Sequence, residues 1–303
     1  MITLASDFGT PYPAAMKGVL ARRTNARLVD VAHDFPRQDV RASAFWLREV
    51  LPYFPPATHL VVVDPGVGTD RRAIVVRAGE HLLVGPDNGV LLPATRRLAD
   101  SGRDGDTDVD YECYEIEESA LEQVEPVGAN TAGANTGSIP NGPDATALHP
   151  SEDDTGRPDG PASATFHGRD VFAPAAGEVH EAGLEGVTDL EWLTPLVDDP
   201  VDCRLPEPTL EDERAAGEVL TVDDFGNVIT NVPGGFLTGC DRVSVNDEVV
   251  PIGETFASVP VGERLATVGS HGYVELDVNQ GRGDEAFGLE GGKHVTLETI
   301  EDD

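Results

Sequence analysis

Two acids stand where short apolar runs stop. Asp64 follows His59-Leu60-Val61-Val62-Val63, and Asp7 follows Ile2-Thr3-Leu4-Ala5-Ser6. At the carboxyl end of a strand such a carboxylate can orient a nucleophile, hold a cation or simply cap a turn. After Asp64 the chain reads Pro65-Gly66-Val67-Gly68-Thr69-Asp70-Arg71-Arg72. Its two glycines permit a close backbone approach, but no GK[ST] follows, so phosphate cradling is unsupported. A histidine, His167, lies in Thr165-Phe166-His167-Gly168-Arg169-Asp170. It is either an acid–base group beside a helix start or a structural histidine, with Asp170 as the cap. Val84-Gly85-Pro86-Asp87-Asn88-Gly89 is first of all a turn, and Asp223-Asp224-Phe225-Gly226-Asn227 reads equally well as a loop between strands. Spacing alone leaves a water-activating hydrolase level with a metal-dependent phosphohydrolase built from Asp7, Asp64, Asp87 and His167. The kinase-like strings Asp7-Phe8-Gly9 and His167-Gly168-Arg169-Asp170 come in the wrong order and lack the VAIK lysine. Arg282-Gly283-Asp284 reads as a polar turn.

The elements that must position these residues follow from periodicity. Strands are expected at 2–5, 26–31 and 59–63, with helices at 14–22 and 40–51. In the second helix Ala42, Phe45, Leu47 and Leu51 fall near one face. Segments 73–76 and 82–84 form a strand pair turning at Gly79. This alternation predicts an α/β domain, residues 1–195, with a mainly parallel sheet. The stretch 127–162 is rich in Gly, Asn, Asp, Pro and Ser and cannot bury a core. It reads as a disordered acidic insertion in a surface loop. The apolar pattern resumes at Thr165, with a helix expected at 170–182. From Glu218 onward seven short strands, at 219–222, 228–232, 242–245, 248–252, 265–268, 273–278 and 294–298, predict a smaller all-β, barrel-like second domain, residues 215–303.

Composition narrows the partners. Of the 303 residues, 21 are Lys or Arg and 55 are Asp or Glu, a net charge of −34. Such a charge repels nucleic acid and anionic membranes, so neither is an expected partner. Hydrophobic residues make up 39% of the chain, enough for a real core, so the acidity reads as the surface of a folded protein adapted to concentrated salt. No apolar run approaches the roughly 18 residues that span a bilayer, and the N-terminus lacks a signal-peptide pattern. Cys113, Cys203 and Cys240 are scattered and form no CxxC. Disulfides and a cysteine zinc site are not expected, and a reducing cytoplasm is.

Taken together, SDFG at 6–9, Met16-Lys17-Gly18, VVDPGVGTDRR at 62–72, GPDNG at 85–89, TFHGRD at 165–170 and DDFGNVITN at 223–231 occur in one order. In that order they resemble the S-adenosylmethionine hydroxide adenosyltransferase family, relatives of the fluorinase and chlorinase enzymes. The resemblance spans residues 1–98 and 163–297; the middle insertion has no counterpart in it. It implies hydrolysis of S-adenosyl-L-methionine to adenosine and L-methionine, with no metal and no cofactor. It also implies a homotrimer whose sites lie between the α/β domain of one subunit and the barrel of the next. The family's hydroxide-handling set maps onto Asp64, Arg71 and His167, with His167 as a proton shuttle. Asp7, with Phe8 beside it, falls on the ribose-binding acid. Asp223 and Asn227 fall on the acid and amide that hold the methionine part. Phe225 and Ser270 would border the adenine or the methionine. Two departures stand out. The loop Thr10-Pro11-Tyr12-Pro13 is short and lacks the family's acid, and His271 follows Ser270 where the halogenases carry Arg. The rival readings are a halogenase taking chloride, the metal-dependent phosphohydrolase, and a sensor that binds without turnover.

Overall fold

In the computed structural model the described residues are 1–100, 111–121 and 165–300; the insertion expected at 127–162 lies outside them. The first half of the chain runs β1 (Ile2–Ser6), α1 (Tyr12–Arg23), β2 (Leu28–Ala32), α2 (Val40–Val50), β3 (Thr58–Val62), β4 (Ala73–Ala78), β5 (His81–Pro86), α3 (Leu92–Ala99), β6 (Tyr111–Ile116) and α4 (Glu118–Leu121). Then follow α5 (Ala173–Gly186) and β7 (Leu193–Pro195). Seven strands form one sheet in the order β2-β1-β3-β5-β4-β6-β7.

The sheet is parallel from β2 through β1 and β3 to β5, and antiparallel from β5 outward. The expected hairpin at Gly79, where φ is +57°, is what makes it mixed. Because β5 pairs with β3, the earlier β4 is pushed to the outer side. The strand β6 was not foreseen, since Tyr-Glu-Cys-Tyr-Glu-Ile carries polar residues within a polar region. Tertiary pairing with β4 supplies what its local pattern does not.

β3 is apolar throughout because both faces of the parallel core are covered. Leu60 and Val62 face the layer of α1 and α5, meeting Met16, Leu20, Phe172 and Val179. Val61 and Val63 face the layer of α2 and α3, meeting Leu47, Leu51, Ala94 and Leu98.

The second half forms β8 (Thr209–Leu210), β9 (Arg214–Val222), β10 (Val228–Pro233), β11 (Arg242–Val245), β12 (Glu248–Pro251), β13 (Arg264–Val268), β14 (Tyr273–Val278), α6 (Gly283–Phe287) and β15 (His294–Ile300). Its ladder β12-β11-β15-β9-β10-β14-β13 is antiparallel throughout. A bridge between Ile252 and Ala266 brings its two ends together, so the sheet is a nearly closed barrel. Val219, Val228, Val243, Val274, Leu276 and Leu297 fill it.

Helix α2 joins the two halves. Asp39 caps it, accepting from Ala42 N at 2.9 Å. The sequence places its apolar residues near one face, but two faces are buried. Ala44 and Leu47 turn to the α/β sheet, while Phe45 packs with Leu220 and Ile229 of the barrel. Arg41 forms an ion pair with Glu218 on β9.

At the opposite end of the strands from Asp64, Thr3 Oγ1, His59 and His81 form a buried chain. Thr3 Oγ1 lies 2.7 Å from His59 Nδ1, and His59 Nε2 lies 2.9 Å from His81 Nδ1. Burial pushes the His59 imidazole down to about 3, with His81 adding to the effect. An unfolded histidine binds a proton near 6.5, so the folded state holds fewer protons between those two values. The stability that neutral His59 contributes is complete above pH 6.5 and is lost as pH falls toward 3. Urea denaturation at pH 7.5, 6 and 5 should show a falling midpoint, and His59→Gln should flatten that slope.

Candidate functional site

β1 and β3 are neighbours in parallel register, Ser6 opposite Val62. Asp7 and Asp64 therefore emerge at the same sheet edge, as open α/β sheets place their ligand sites. Beyond Asp64 the loop turns back at once. Thr69 Oγ1 donates to Gly66 O at 2.7 Å, and Gly68 takes φ +78°. A Cβ on Gly66 would sit 3.2 Å from Arg71 Cγ, so glycine leaves the room in which the arginine side chain folds over.

Arg71 grips Asp64 with two parallel hydrogen bonds, Nε to Oδ1 at 2.8 Å and Nη2 to Oδ2 at 2.5 Å. Both side chains are buried, at 8% and 4% exposure. A buried pair is held only where its geometry and remaining hydrogen bonds offset desolvation. Here the guanidinium also lies 4.9 Å from the Phe172 ring centre and donates to Arg72 O at 3.3 Å. The same Nη2 lies 2.9 Å from His167 Nδ1. A guanidinium has only donors, so Nδ1 must present its lone pair and Nε2 must carry the hydrogen. The imidazole is thus fixed as a neutral Nε2–H donor, with Glu118 Oε1 3.9 Å from Nδ1.

His167 is delivered by an unusual helix start. A π-turn, Gly168–Phe172, precedes α5. The capping role considered for Asp170 is not what it does: neither N-terminus has a side-chain cap, and Asp170 pairs with Arg169 at 2.6 and 2.7 Å. The helix begins at Ala173, three residues later than expected, because the wider turn occupies the start. A Cβ on Gly168 would lie 3.0–3.2 Å from Met16 Sδ and the rings of Phe166 and Phe8. That contact binds the His167 segment to the segment of Asp7 and Phe8. Phe8, Tyr12 and Phe166 form a three-ring cluster with centres 5.3–5.9 Å apart. Asp7 Oδ2 accepts from Gln38 N at 2.7 Å.

Asp87, the acid that spacing offered to a metal site, is committed elsewhere. Its oxygens accept from Arg72 Nε and Val201 N, each at 2.7 Å, tying the sheet edge to the segment before the barrel. Asn88 Nδ2 donates to Val63 O at 2.9 Å and fixes the turn beside β3. Among the described residues no group of three His, Cys, Asp or Glu is placed to share a metal ion.

The barrel residues form a second set. Asp223 Oδ1 accepts from Phe225 N and Asn227 N, both at 2.9 Å, and Oδ2 accepts from Asn227 Nδ2 at 3.0 Å. Gly226, at φ +90°, closes this loop. Phe225 stands 80% exposed. Ser270 is exposed on the turn before β14, and His271 packs edge-on against Phe45 and Trp46 of α2, 5.8 and 5.4 Å between centres. Among the described residues no hydrogen bond, ion pair or ring contact joins the 223–227 loop to Asp64, Arg71 or His167. Sequence reasoning missed what holds that loop. Asp284 N donates to Gly226 O at 3.0 Å, Arg282 Nη1 donates to Asp224 O at 3.2 Å, and Arg282 pairs with Asp284. The turn Arg282-Gly283-Asp284 is a clamp, and no local signal distinguishes it from a surface turn.

Residues 2–132 match the model of the SAM hydroxide adenosyltransferase N-terminal domain, and residues 217–296 match that of its C-terminal domain. An (R)-S-adenosyl-L-methionine hydrolase of Thermus thermophilus is 39% identical over 96% of this chain and 97% of its own. The hydrolase of that name from Salinispora tropica is 37% identical over 98% and 97%. Among solved structures, an uncharacterized conserved protein from Thermotoga maritima superposes with a TM-score of 0.71 at 30% identity, covering 98% of this chain and 99% of that one. A conserved hypothetical protein from Thermus thermophilus gives 0.62 at 33% identity, covering 99% of each.

The clamp generates a prediction. A Cβ on Gly283 would overlap Leu276 O and lie 3.1 Å from Gly226 O, both rigid backbone atoms. Gly283→Ala should therefore cost about 1–3 kcal/mol of barrel stability, as overpacking does, read by urea denaturation. An unchanged midpoint would show that the turn does not carry the loop.

Proposed function

The chain belongs to the SAM hydroxide adenosyltransferase family, and from that premise we propose that it hydrolyses S-adenosyl-L-methionine to adenosine and L-methionine at the edge where Asp64, Arg71 and His167 meet. The single observation that carries the assignment of roles is the buried, bidentate Asp64–Arg71 pair with His167 on the same guanidinium. The substrate is a sulfonium cation. A water oxygen forms a bond to ribose C5′ as the C5′–S bond breaks, and sulfur keeps that electron pair as a neutral thioether. The water sheds one proton, which leaves to solvent.

Each residue has a task in that displacement. Both Asp64 oxygens accept from Arg71, yet each retains a second lone-pair direction that can orient a water O–H and take its proton. The positive charge of Arg71 favours hydroxide character on that oxygen. His167 offers Nε2–H rather than a free base, so its first role is to donate to the attacking oxygen, with proton relay following only if the ring leaves Arg71. Holding the water in line with C5′–S supplies the entropic part of the rate. Asp7 receives the ribose hydroxyls, and Phe8 borders them. Asp223 and Asn227 take the methionine part, with Phe225 and Ser270 along its edge. A carboxylate at the attacking position disfavours chloride, which distinguishes this reading from a halogenase.

We further propose a homotrimer with each site completed by the barrel of the next copy, in the cytoplasm of a salt-adapted cell. Two features support this: the two residue sets do not touch within one chain, and Phe225 projects unpaired. The −34 charge supports the salt adaptation.

Incubation with S-adenosylmethionine in concentrated KCl should yield adenosine and methionine by chromatography; 5′-chloro-5′-deoxyadenosine would refute the hydrolase reading. Asp64→Ala and Arg71→Ala should stay folded and lose at least about 10²-fold in kcat. Co-expressing Asp64→Ala with Asp223→Ala should restore activity at about a quarter of the sites, because mixed rings regenerate intact boundaries. If each site lay within one chain, such mixing would restore nothing.

A further inference from the structure

The Met16-Lys17-Gly18 motif and the loop after β2 have no task in the mechanism above. Lys17 is one of only two lysines in the chain. Its Nζ pairs with Asp30 Oδ2 at 2.6 Å, and Asp30 Oδ1 lies 3.0 Å from His33 Nε2. His33 Nδ1 in turn lies 2.8 Å from Ser6 Oγ. A hydrogen-bonded row therefore runs from the surface to the residue beside Asp7. A carboxylate only accepts, so Nε2 carries its hydrogen toward Asp30, and in the neutral ring Nδ1 accepts from the Ser6 hydroxyl. The order Ser–His–Asp is that of a nucleophile triad. Ser6 is fully buried within β1, however, so its oxygen is not offered to a substrate.

What the row holds is the segment that carries Asp7. Leu4 of β1 pairs with Asp30 of β2, yet Ala5 pairs with Ala32. An extra residue thus enters β2 at this point, which brings His33 level with Ser6 and not with Asp7. Bulges of this kind re-aim side chains beside functional sites. The chain after β2 then grips the Ser6–Gly9 segment again. His33 O accepts from Gly9 N at 2.7 Å, and Gln38 N donates to Asp7 Oδ2 at 2.7 Å. Gln38 takes φ +60°, a left-handed conformation that few non-glycine residues adopt. The next residue, Asp39, is fixed as the cap of α2, so Gln38 absorbs the strain of aiming its N–H at the carboxylate.

Given the ribose role of Asp7, on which this inference rests, we propose that His33 is a positioning residue for the reaction. It pins the loop 33–38 to Ser6 and Gly9, so that the Gln38 N–H sets the rotation of the Asp7 carboxylate before the ribose hydroxyls arrive. A carboxylate fixed in advance has less freedom to lose on binding. The Lys17–Asp30 pair anchors the imidazole from outside. Without His33 the carboxylate is still present but samples other rotations. Affinity then falls, while the chemistry at Asp64 and Arg71 goes on.

The experiment measures kcat and KM for S-adenosylmethionine, and inhibition by adenosine and by 2′,3′-dideoxyadenosine, with the full chain in concentrated KCl. The two nucleosides differ only in the ribose hydroxyls. His33→Leu should raise KM and the adenosine inhibition constant about tenfold, as loss of a charged hydrogen bond does. It should leave kcat and inhibition by dideoxyadenosine as they are in the unaltered chain. Ser6→Ala removes only a hydroxyl and should reproduce that pattern, even if His33→Leu fails to fold. His33→Asn, whose amide oxygen can accept from Ser6, should restore most of the affinity. On an Asp7→Ala background His33→Leu should add no further loss, since the two act as one unit. Equal weakening for both nucleosides, unchanged adenosine inhibition in Ser6→Ala, or a full loss on the Asp7→Ala background would overturn the proposal. If the unaltered chain bound both nucleosides equally, the ribose role of Asp7 would fall instead.

Discussion

The Asp64–Arg71 pair is the interaction around which the sheet edge is organised. A carboxylate and a guanidinium at 4% and 8% exposure tolerate burial only while each satisfies the other. That demand shapes the loop between them. Gly66 and Gly68 let the chain fold back, and Phe172 gives the guanidinium a face to rest on. It also recruits His167 from 96 residues away, since Nη2 has room for one more acceptor. One guanidinium thereby fixes the direction of a carboxylate and the tautomer of an imidazole.

A parallel arrangement stands one step along the same loop. Arg72 pairs with Asp87, and Asp87 in turn holds Val201. Consecutive arginines face opposite ways from an extended segment, so one holds Asp64 at the sheet edge and the other ties the sheet to the chain leading to the barrel. Helix α2 completes that connection. It buries Leu47 against the sheet and Phe45 against β9 and β10, so the barrel's position depends on a helix of the other half. His271 belongs to this joint through Phe45 and Trp46, which gives it a packing reason to differ from an arginine.

The chain's acidity has two distinct physical settings. Among the described residues most acids are exposed to water, where salt screens much of their repulsion. Glu275 and Asp277 are buried on the face of β14 opposite the barrel core, where salt does not reach and burial, with repulsion from neighbouring acids, raises both carboxyl groups.

The amino-acid sequence alone decided the alternation of strands and helices in the first hundred residues, the seven principal barrel strands and the family motifs. These are local signals: an apolar run such as 59–63 and the turn residues that bound it are read without knowing their neighbours. Only the tertiary structure decided which acid meets which base. Asp64 and Asp87 look alike in sequence, each at a strand end before glycine. Sheet order alone gives one to Arg71 and the other to Arg72. Strand β6, the clamp at Arg282–Asp284 and the burial of Asp277 were illegible for the same reason. Pairing energies and desolvation depend on distances through space, and spacing along the chain carries no information about those until the sheet is assembled.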